Sequence, residues 1–227
     1  MTAQPLDNVA WASLTGPHAR FAEVNGRAAR YDPEVSPFTA LADQSDPAAW
    51  RDLAALVGPG TDVFLSGPRL RPAPGWEQVG GLPGVQLTGA AVAGAADPEA
   101  VVLGAADVPE VLDLVERAKP GPFRKRTIEL GTYLGIRREG RLIAMAGERL
   151  RVPGWTEISA VCTDPDFRGE GLAARLTRAV TAGIRDRGEQ PFLHAAAENV
   201  NAVRLYERLG FTLRTPVTFG IYRELRA

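Results

Sequence analysis

The stretch DPDFRGEGLA, residues 164–173, joins a predicted strand to a predicted helix. An apolar-rich run over Thr156–Cys162 predicts the strand, and apolar residues at helical spacing over Gly171–Arg187 predict the helix. The first turn of a helix leaves backbone N–H groups unpaired and carries partial positive charge, so it suits a phosphate group. The sequence therefore predicts an anion-binding turn here, while a strand-to-helix turn without a ligand stays the alternative.

The residue types within this stretch favour the anion-binding interpretation. Gly169 and Gly171 keep side chains away from the backbone and permit unusual dihedral angles, and Ala173 is the next smallest choice. Arg168 adds a positive charge beside the turn. The glycine spacing matches neither the Walker form nor Gly-x-Gly-x-x-Gly, so a nucleotide-binding module of another fold is the more distant possibility.

Composition limits the classes of function. The 227 residues carry a formal net charge of −1 and are 45% hydrophobic, which suits one large or two small globular domains and gives no electrostatic reason to bind nucleic acid or an acidic membrane. A single cysteine leaves no internal disulfide, and the first residues do not resemble a signal peptide, so a cytoplasmic setting is expected. His18 and His194 lie far apart in a chain without a metal-binding motif, so no metal site is expected.

The chain divides into two unequal halves. Residues 1–95 are rich in Pro, Gly and Ala, and residues 89–100 are interpreted as a linker. Asp46 is expected to cap the first clear helix, with Pro47 in its first turn. The elements predicted in this half are a helix over Pro47–Val57 and strands over Asp62–Ser66 and Gly84–Thr88.

The second half has a sharper pattern. Its order, β-α-β-β-β-α-β-α-β, predicts a mixed sheet with helices on its faces. Besides the strand and helix described above, the predicted elements are a strand at Val101–Leu103, a helix from Asp107 to Lys119, strands at Thr132–Arg137, Arg141–Leu150 and Pro191–Ala196, a helix at Asn199–Leu209, and a closing strand pair at Thr212–Leu213 and Val217–Tyr222.

Two motifs together resemble the GNAT superfamily of N-acetyltransferases. AVCTDPDFRGEGLA (160–173) matches its loop motif at Arg168, Gly171 and Ala173. FLHAAAENVNAVRLYERLGF (192–211) matches its second motif at the positions Asn199, Ala202, Tyr206, Gly210 and Phe211. The resemblance covers about residues 100–227, and TEISAVCT and PFLHA look most like the glycine N-acyltransferase-like branch.

This resemblance implies a fold and a division of the chain. The fold class is α/β (α+β), with a GNAT-like mixed central sheet flanked by helices. Residues 96–227 would form the acetyltransferase domain, and residues 1–95 a smaller, diverged α/β half of open role.

The resemblance also implies how acetyl-CoA, the co-substrate, would be held. The coenzyme would lie between two parallel strands that splay apart, here Thr156–Cys162 and Pro191–Ala196. Three kinds of residue are expected to bind the coenzyme. Some would pair with the pantetheine arm, some would hold the pyrophosphate through their backbone amides, and one is a helix cap that reaches the coenzyme. Together they are Ala160, Val161, Cys162, Thr163, Arg168, Gly169, Glu170, Gly171, Leu172, Ala173 and Asn199.

In such enzymes a primary amine attacks the thioester directly. The backbone N–H near Val161 would polarise the acyl carbonyl, and Tyr206 would protonate the leaving thiolate. Glu157 is the expected general base, because strand alternation puts it on the face of Val161 and burial would raise its pKa. Glu129, Glu148 or a water chain are the alternatives. A core position is favoured for Cys162 over a covalent acyl-cysteine.

The expected function is therefore N-acetyl transfer from acetyl-CoA to a small-molecule or peptide amine, without a metal, a nucleic acid or a membrane as partner. A non-catalytic acyl-CoA sensor or interaction module is the alternative. The sequence does not specify the acceptor, the acyl chain length or the oligomeric state.

Overall fold

The strand that leads into the DPDFRGEGLA stretch lies within an eight-stranded mixed sheet. The computed structural model describes residues 5–68 and 70–225. The order of strands in the large sheet is β4-β11-β5-β10-β9-β8-β7-β6, and a separate three-stranded sheet has the order β1-β2-β3. The strands are β1 Ala22–Asn25, β2 Ala28–Tyr31, β3 Thr39–Leu41, β4 Asp62–Gly67, β5 Trp76–Thr88, β6 Val101–Leu103, β7 Tyr133–Arg138, β8 Arg141–Val152, β9 Trp155–Thr163, β10 Gln190–Ala196 and β11 Thr212–Glu224.

Helices cover both faces of the large sheet. Helices α4 and α5 pack on one face, in a core that includes Leu176, Val180 and Leu209. Helices α1 and α3 pack on the other face, against β8. The α-helices are α1 Val9–Leu14, α2 Pro47–Val57, α3 Val108–Ala118, α4 Leu172–Asp186 and α5 Val200–Leu209.

Local sequence signals account for the helix boundaries. The Asp46 carboxylate accepts a hydrogen bond from the amide of Ala48 at 2.8 Å, which confirms the predicted cap of α2. Helix α5 ends at Gly210 with φ of 101°, a left-handed conformation that glycine adopts without strain. None of the helices in the described ranges is long and apolar enough to cross a membrane.

The two strands expected to splay do so. Strands β9 and β10 pair in parallel from Trp155–Gln190 to Ile158–Leu193, and beyond that pair they have no further register. Each strand continues past this point, β9 to Thr163 and β10 to Ala196. The result is a V-shaped gap in the sheet that opens towards the DPDFRGEGLA turn.

The first half of the chain is not separate from this sheet. Strand β5 lies between β10 and β11, and β4 pairs with the outer side of β11. The boundary at residue 95 therefore runs between strands of one sheet, and the first half, whose role the sequence left open, completes that sheet. The predicted closing strand pair is wrong: Thr212–Glu224 is one long strand, whose antiparallel partner is β5.

Removing the first half is expected to abolish folding. A chain limited to residues 96–227 would expose the edge of β10 and lose both neighbours of β11, so unpaired backbone groups would face water, as would Tyr222, whose core partners all lie in the first half. We expect it to show no cooperative thermal transition by circular dichroism, with the full chain as control. A cooperative transition with retained acetyl-CoA binding would contradict this account of the sheet.

Candidate active site

The turn before α4 presents a continuous run of unpaired backbone amides. Within the described part of the chain, the N–H groups of residues 169–174 donate to no protein acceptor, and the first capped amide after them is that of Arg175, which donates to the carbonyl of Gly171 at 3.1 Å. Gly169 and Gly171 have φ of +89° and +74°, and a Cβ at either position would meet no atom within 4 Å. The turn thus has the donors and the open space that a pyrophosphate requires.

The two arginines near this turn differ in whether they form ion pairs. Arg168 is exposed and pairs with no acidic side chain among the described residues, so its guanidinium is available to an anion. Arg175, one turn into α4, is instead held by Asp97 and Glu99 at 2.7 and 2.6 Å. Glu170 is exposed and Leu172 is buried in the core, so each can offer the ligand only its backbone amide.

A buried carboxylate anchors the end of β9 that feeds the turn. Asp164 accepts hydrogen bonds from Arg117 at 2.8 Å, from Arg141 at 2.5 Å and from the amide of Asp166 at 3.1 Å. Burial alone would raise the pKa of Asp164, but these donors lower it below its usual value. The carboxylate therefore ties α3, β8 and the turn together.

Strand β9 carries a β-bulge beside the gap. Between the pairs Met145–Cys162 and Gly147–Ser159, β9 has one more residue than β8, and Ala160 adopts φ of +52°. The ladder to β8 therefore skips Ala160 and Val161. This leaves the segment from Ala160 to Thr163 beside the gap.

The second motif lies on α5 as expected. Asn199 is the N-cap of α5, and its side chain accepts a hydrogen bond from the amide of Ala202 at 3.1 Å. Tyr206 lies in the core against Phe211, with ring centroids 5.8 Å apart. Its hydroxyl has no protein hydrogen-bond partner within the described ranges, and burial raises its pKa to about 12. Tyr206 shares this core with Val161, which lies near the end of β9.

Both reasons for assigning Glu157 as general base are wrong. The bulge shifts the alternation of β9, so Val161 packs with Ile158 in the α4–α5 core while Glu157 lies on the opposite face of the sheet. Burial would raise the pKa of Glu157, but the charge and hydrogen bonds of Arg149 outweigh burial and lower it to about 2. A carboxylate with this pKa is a weak proton acceptor at neutral pH.

The alternative bases are engaged in ion pairs. Glu129 is paired with Arg126 at 2.7 Å and Glu148 with Arg187 at 2.9 Å. Burial raises the pKa of Cys162 to about 12, so its thiol is unreactive. Cys162 therefore fits the core position that the sequence favoured.

The sequence did not indicate that three other side chains join Glu157 in one hydrogen-bond network. Arg149, His194 and Gln86 lie on β8, β10 and β5, and only the strand order brings them together. The tight turn between β8 and β9 at 153–154 gave a signal for Arg149, since it places residues 149 and 157 on adjacent antiparallel strands. No local signal marked Gln86, because β5 was predicted too short and its neighbours were unknown.

Among residues 5–68 and 70–225, no group of three or more His, Cys, Asp or Glu residues is placed to hold a metal ion.

Comparisons with known proteins fit this geometry. The FR47-like protein family model matches residues 133–219, which include the turn and α5. A putative acetyltransferase from the GNAT family of Novosphingobium aromaticivorans is 40% identical, with a TM-score of 0.90, over 99% of this chain and 100% of that chain. A GCN5-related N-acetyltransferase from Kribbella flavida has the same fold, with 22% identity and a TM-score of 0.62 over 93% of both chains.

Curated relatives match over a shorter segment. The mycothiol acetyltransferase of Thermobispora bispora is 49% identical over 57 residues, which are 25% of this chain and 19% of that protein. The mycothiol acetyltransferase of Saccharopolyspora erythraea is 33% identical over 92 residues, 40% of this chain and 30% of that protein. The chain thus spans less than a third of either relative. The match to the Novosphingobium protein, by contrast, runs the length of both chains, and the chain belongs to the GNAT family of acetyltransferases.

Proposed function

We propose that the chain transfers the acetyl group of acetyl-CoA to a primary amine. The observation that carries the proposal is the run of unpaired amides at residues 169–174, placed at the mouth of the gap between β9 and β10. Members of the GNAT family use acetyl-CoA, and the edge of β9 that lies beyond its last pair with β10 can receive the pantetheine arm.

The coenzyme would be held mainly by backbone groups. Amides from Gly169 to Ala173 would bind the pyrophosphate, with Arg168 adding charge. The edge of β9 from Ala160 to Thr163 would pair with the pantetheine arm, and Asn199 would contact the coenzyme from the start of α5. In this arrangement the acyl end points along β9, towards the closed end of the gap.

The chemistry is a single displacement. The amine nitrogen attacks the thioester carbon, the C–N bond forms, and the C–S bond breaks. The backbone N–H near Val161 would stabilise the negative charge on the carbonyl oxygen. Tyr206 would give its proton to the leaving thiolate, since a phenol with a pKa of about 12 is fully protonated at neutral pH.

The proton lost by the amine would go to water instead of Glu157. Glu157 already accepts four hydrogen bonds and has a pKa of about 2. An α-amine, with a pKa of about 8, supplies its neutral form more readily than a lysine-type amine with a pKa of about 10.4. This favours acceptors whose amine has a low pKa.

The finer assignment to the glycine N-acyltransferase-like branch belongs to the same proposal. Two features support this assignment: the residues of the segments TEISAVCT and PFLHA, and the presence of a first half ahead of the acetyltransferase motifs. The mycothiol acetyltransferases match over only 57 and 92 residues, so their likeness supports acetyl transfer and leaves the acceptor open.

Coenzyme A release tests the proposal. The full chain is incubated with acetyl-CoA and a panel of amino acids, polyamines and peptides with free N-termini, and free thiol is measured. We expect at least one amine to accelerate release well above the rate without acceptor. Tight acetyl-CoA binding with no acceleration by any amine would favour the sensor instead.

The turn can be probed with a glycine pair of matched backbone strain. Gly171 and Gly188 have φ of +74° and +75°, and an added Cβ meets nothing within 4 Å at either site. Gly171→Ala and Gly188→Ala should each lower the free energy of unfolding by about 1–2 kcal/mol. Only Gly171→Ala is expected to weaken acetyl-CoA binding, by about tenfold, because its Cβ and altered dihedrals disturb the anion-binding amides. Equal effects of both variants on Kd in isothermal titration would contradict the assignment of the turn.

A further inference from the structure

A chain of side-chain hydrogen bonds crosses the sheet at the closed end of the gap. Its members lie on five adjacent strands in the order β11, β5, β10, β9 and β8, and successive members bond to each other. The contacts are Arg214 to Gln86 at 2.8 Å, Gln86 to His194 at 3.0 Å, His194 to Glu157 at 2.7 Å, and Arg149 to Glu157 at 2.9 and 2.6 Å.

The two arginines determine which groups in this chain of hydrogen bonds donate and which accept. Arg214 can only donate, so the side-chain carbonyl of Gln86 faces it and the Gln86 amide donates to Nε2 of His194. Nδ1 of His194 then carries the proton and donates to Glu157, which Arg149 keeps ionised. Both ring nitrogens of His194 are therefore held by hydrogen bonds.

His194 stands where β9 and β10 separate. It is the first residue of β10 beyond the last parallel pair, Ile158–Leu193. Ile158 and Leu193 belong to the α4–α5 core and close the vertex of the gap on one face. The hydrogen bond between His194 and Glu157 spans the two strands on the other face, so the vertex is closed on both sides.

The imidazole ring cannot move aside at low cost. Its side chain is only 5% exposed, and the rings of Phe192 and Phe219 contact it edge-on at 5.7 and 5.8 Å. Displacement would also break the hydrogen bonds of His194 to Gln86 and Glu157 in a buried site. The vertex is thus a rigid wall.

We propose that the His194–Glu157 bridge is the wall against which the acyl group ends, and that it restricts the transferred group to acetyl. The inference rests on the proposed function, because the direction of the coenzyme along β9 places the acyl end at this vertex. Each further methylene of a propionyl or butyryl group would meet the imidazole ring.

Binding of acyl-CoA thioesters of increasing chain length tests this wall without any acceptor. Isothermal titration with acetyl-, propionyl- and butyryl-CoA is expected to show a loss of affinity of at least tenfold per added methylene in the wild type. His194→Ala removes the ring, while Glu157 keeps Arg149 and the Leu150 amide as partners. In this variant the three thioesters should bind within about threefold of one another.

Two further variants separate a steric wall from a general loss of structure. His194→Phe restores bulk without the hydrogen bonds and should recover most of the preference for acetyl-CoA. His18, the other histidine, is buried and bonds to Ser13 and Tyr31 but to neither member of the bridge, so His18→Ala should leave the affinity ratio unchanged. The ratio of the affinities for the three thioesters does not depend on the fraction of folded protein, because that fraction is the same for all three.

The outcomes are distinct. Equal binding of all three thioesters by the wild type, or an unchanged ratio in His194→Ala, would overturn the wall while leaving the proposed function intact. Failure of the folded wild type to bind any thioester would overturn both.

Discussion

Tyr206→Phe is expected to lower kcat for amine-dependent coenzyme A release by about 100-fold, the smaller end of the range for losing a general acid. The variant removes only the hydroxyl, which makes no protein hydrogen bond in the described ranges, so the core around Phe211 should be undisturbed. We therefore expect the Kd of acetyl-CoA to change less than twofold. Steady-state kinetics and isothermal titration of the same preparation measure both quantities.

Tyr222 provides the matched control for this prediction. Its hydroxyl is also buried without a partner among the described residues, but it packs against Trp50 in a core formed largely by the first half of the chain. Tyr222→Phe should leave kcat unchanged. Equal activity of Tyr206→Phe and the wild type would remove Tyr206 from the mechanism.

Arg149→Met is expected to lower the free energy of unfolding by about 3–5 kcal/mol at neutral pH, because it leaves Glu157 as an unpaired charge in a buried site. Glu157 is 0% exposed and Arg149 supplies two of its four hydrogen bonds. The exposed pair of Arg223 and Asp62 serves as control, and Arg223→Met should cost no more than about 1 kcal/mol. Urea unfolding at constant pH measures both changes.

The pH dependence of this loss follows from the pKa of Glu157. In the wild type, the pKa is lowered from 4.5 to about 2, so this carboxylate stabilises the fold above pH 4.5 and the contribution disappears as pH falls through 2. In Arg149→Met, burial without a cation raises the pKa, so the variant gains stability as Glu157 takes up a proton. The difference between the two proteins should shrink as pH falls from 7 towards 3. A constant difference over this range would contradict the ionised, Arg149-dependent state of Glu157.

Local patterns predicted several elements in both halves of the chain well. Helix α2 has the predicted bounds, and α4, α5, β9 and β10 differ from prediction by a residue or so at each end. These elements have caps, glycine stops and periodic apolar residues within their own sequence, so their limits are encoded locally. The Asn199 cap and the glycine turn were found for the same reason.

The sequence could not predict features that depend on distant partners. Strand β5 contains glycines and a proline, which are not typical of a strand. It is a central strand only because β10 and β11 flank it. The bulge at Ala160 reversed the expected facing of Glu157 and Val161. The pKa of Glu157 was misjudged because Arg149 lies on another strand, and burial without that cation would indeed have raised it.

The most direct measurement is isothermal titration of the full chain with acetyl-CoA at two temperatures. Burial of apolar surface gives binding a negative heat-capacity change, so the heat of binding cannot vanish at both temperatures. The account predicts one site per chain with a Kd in the micromolar range. A folded protein that gives no binding heat at either temperature would contradict the assignment of residues 168–173 to the coenzyme, and with it the proposed acetyl transfer.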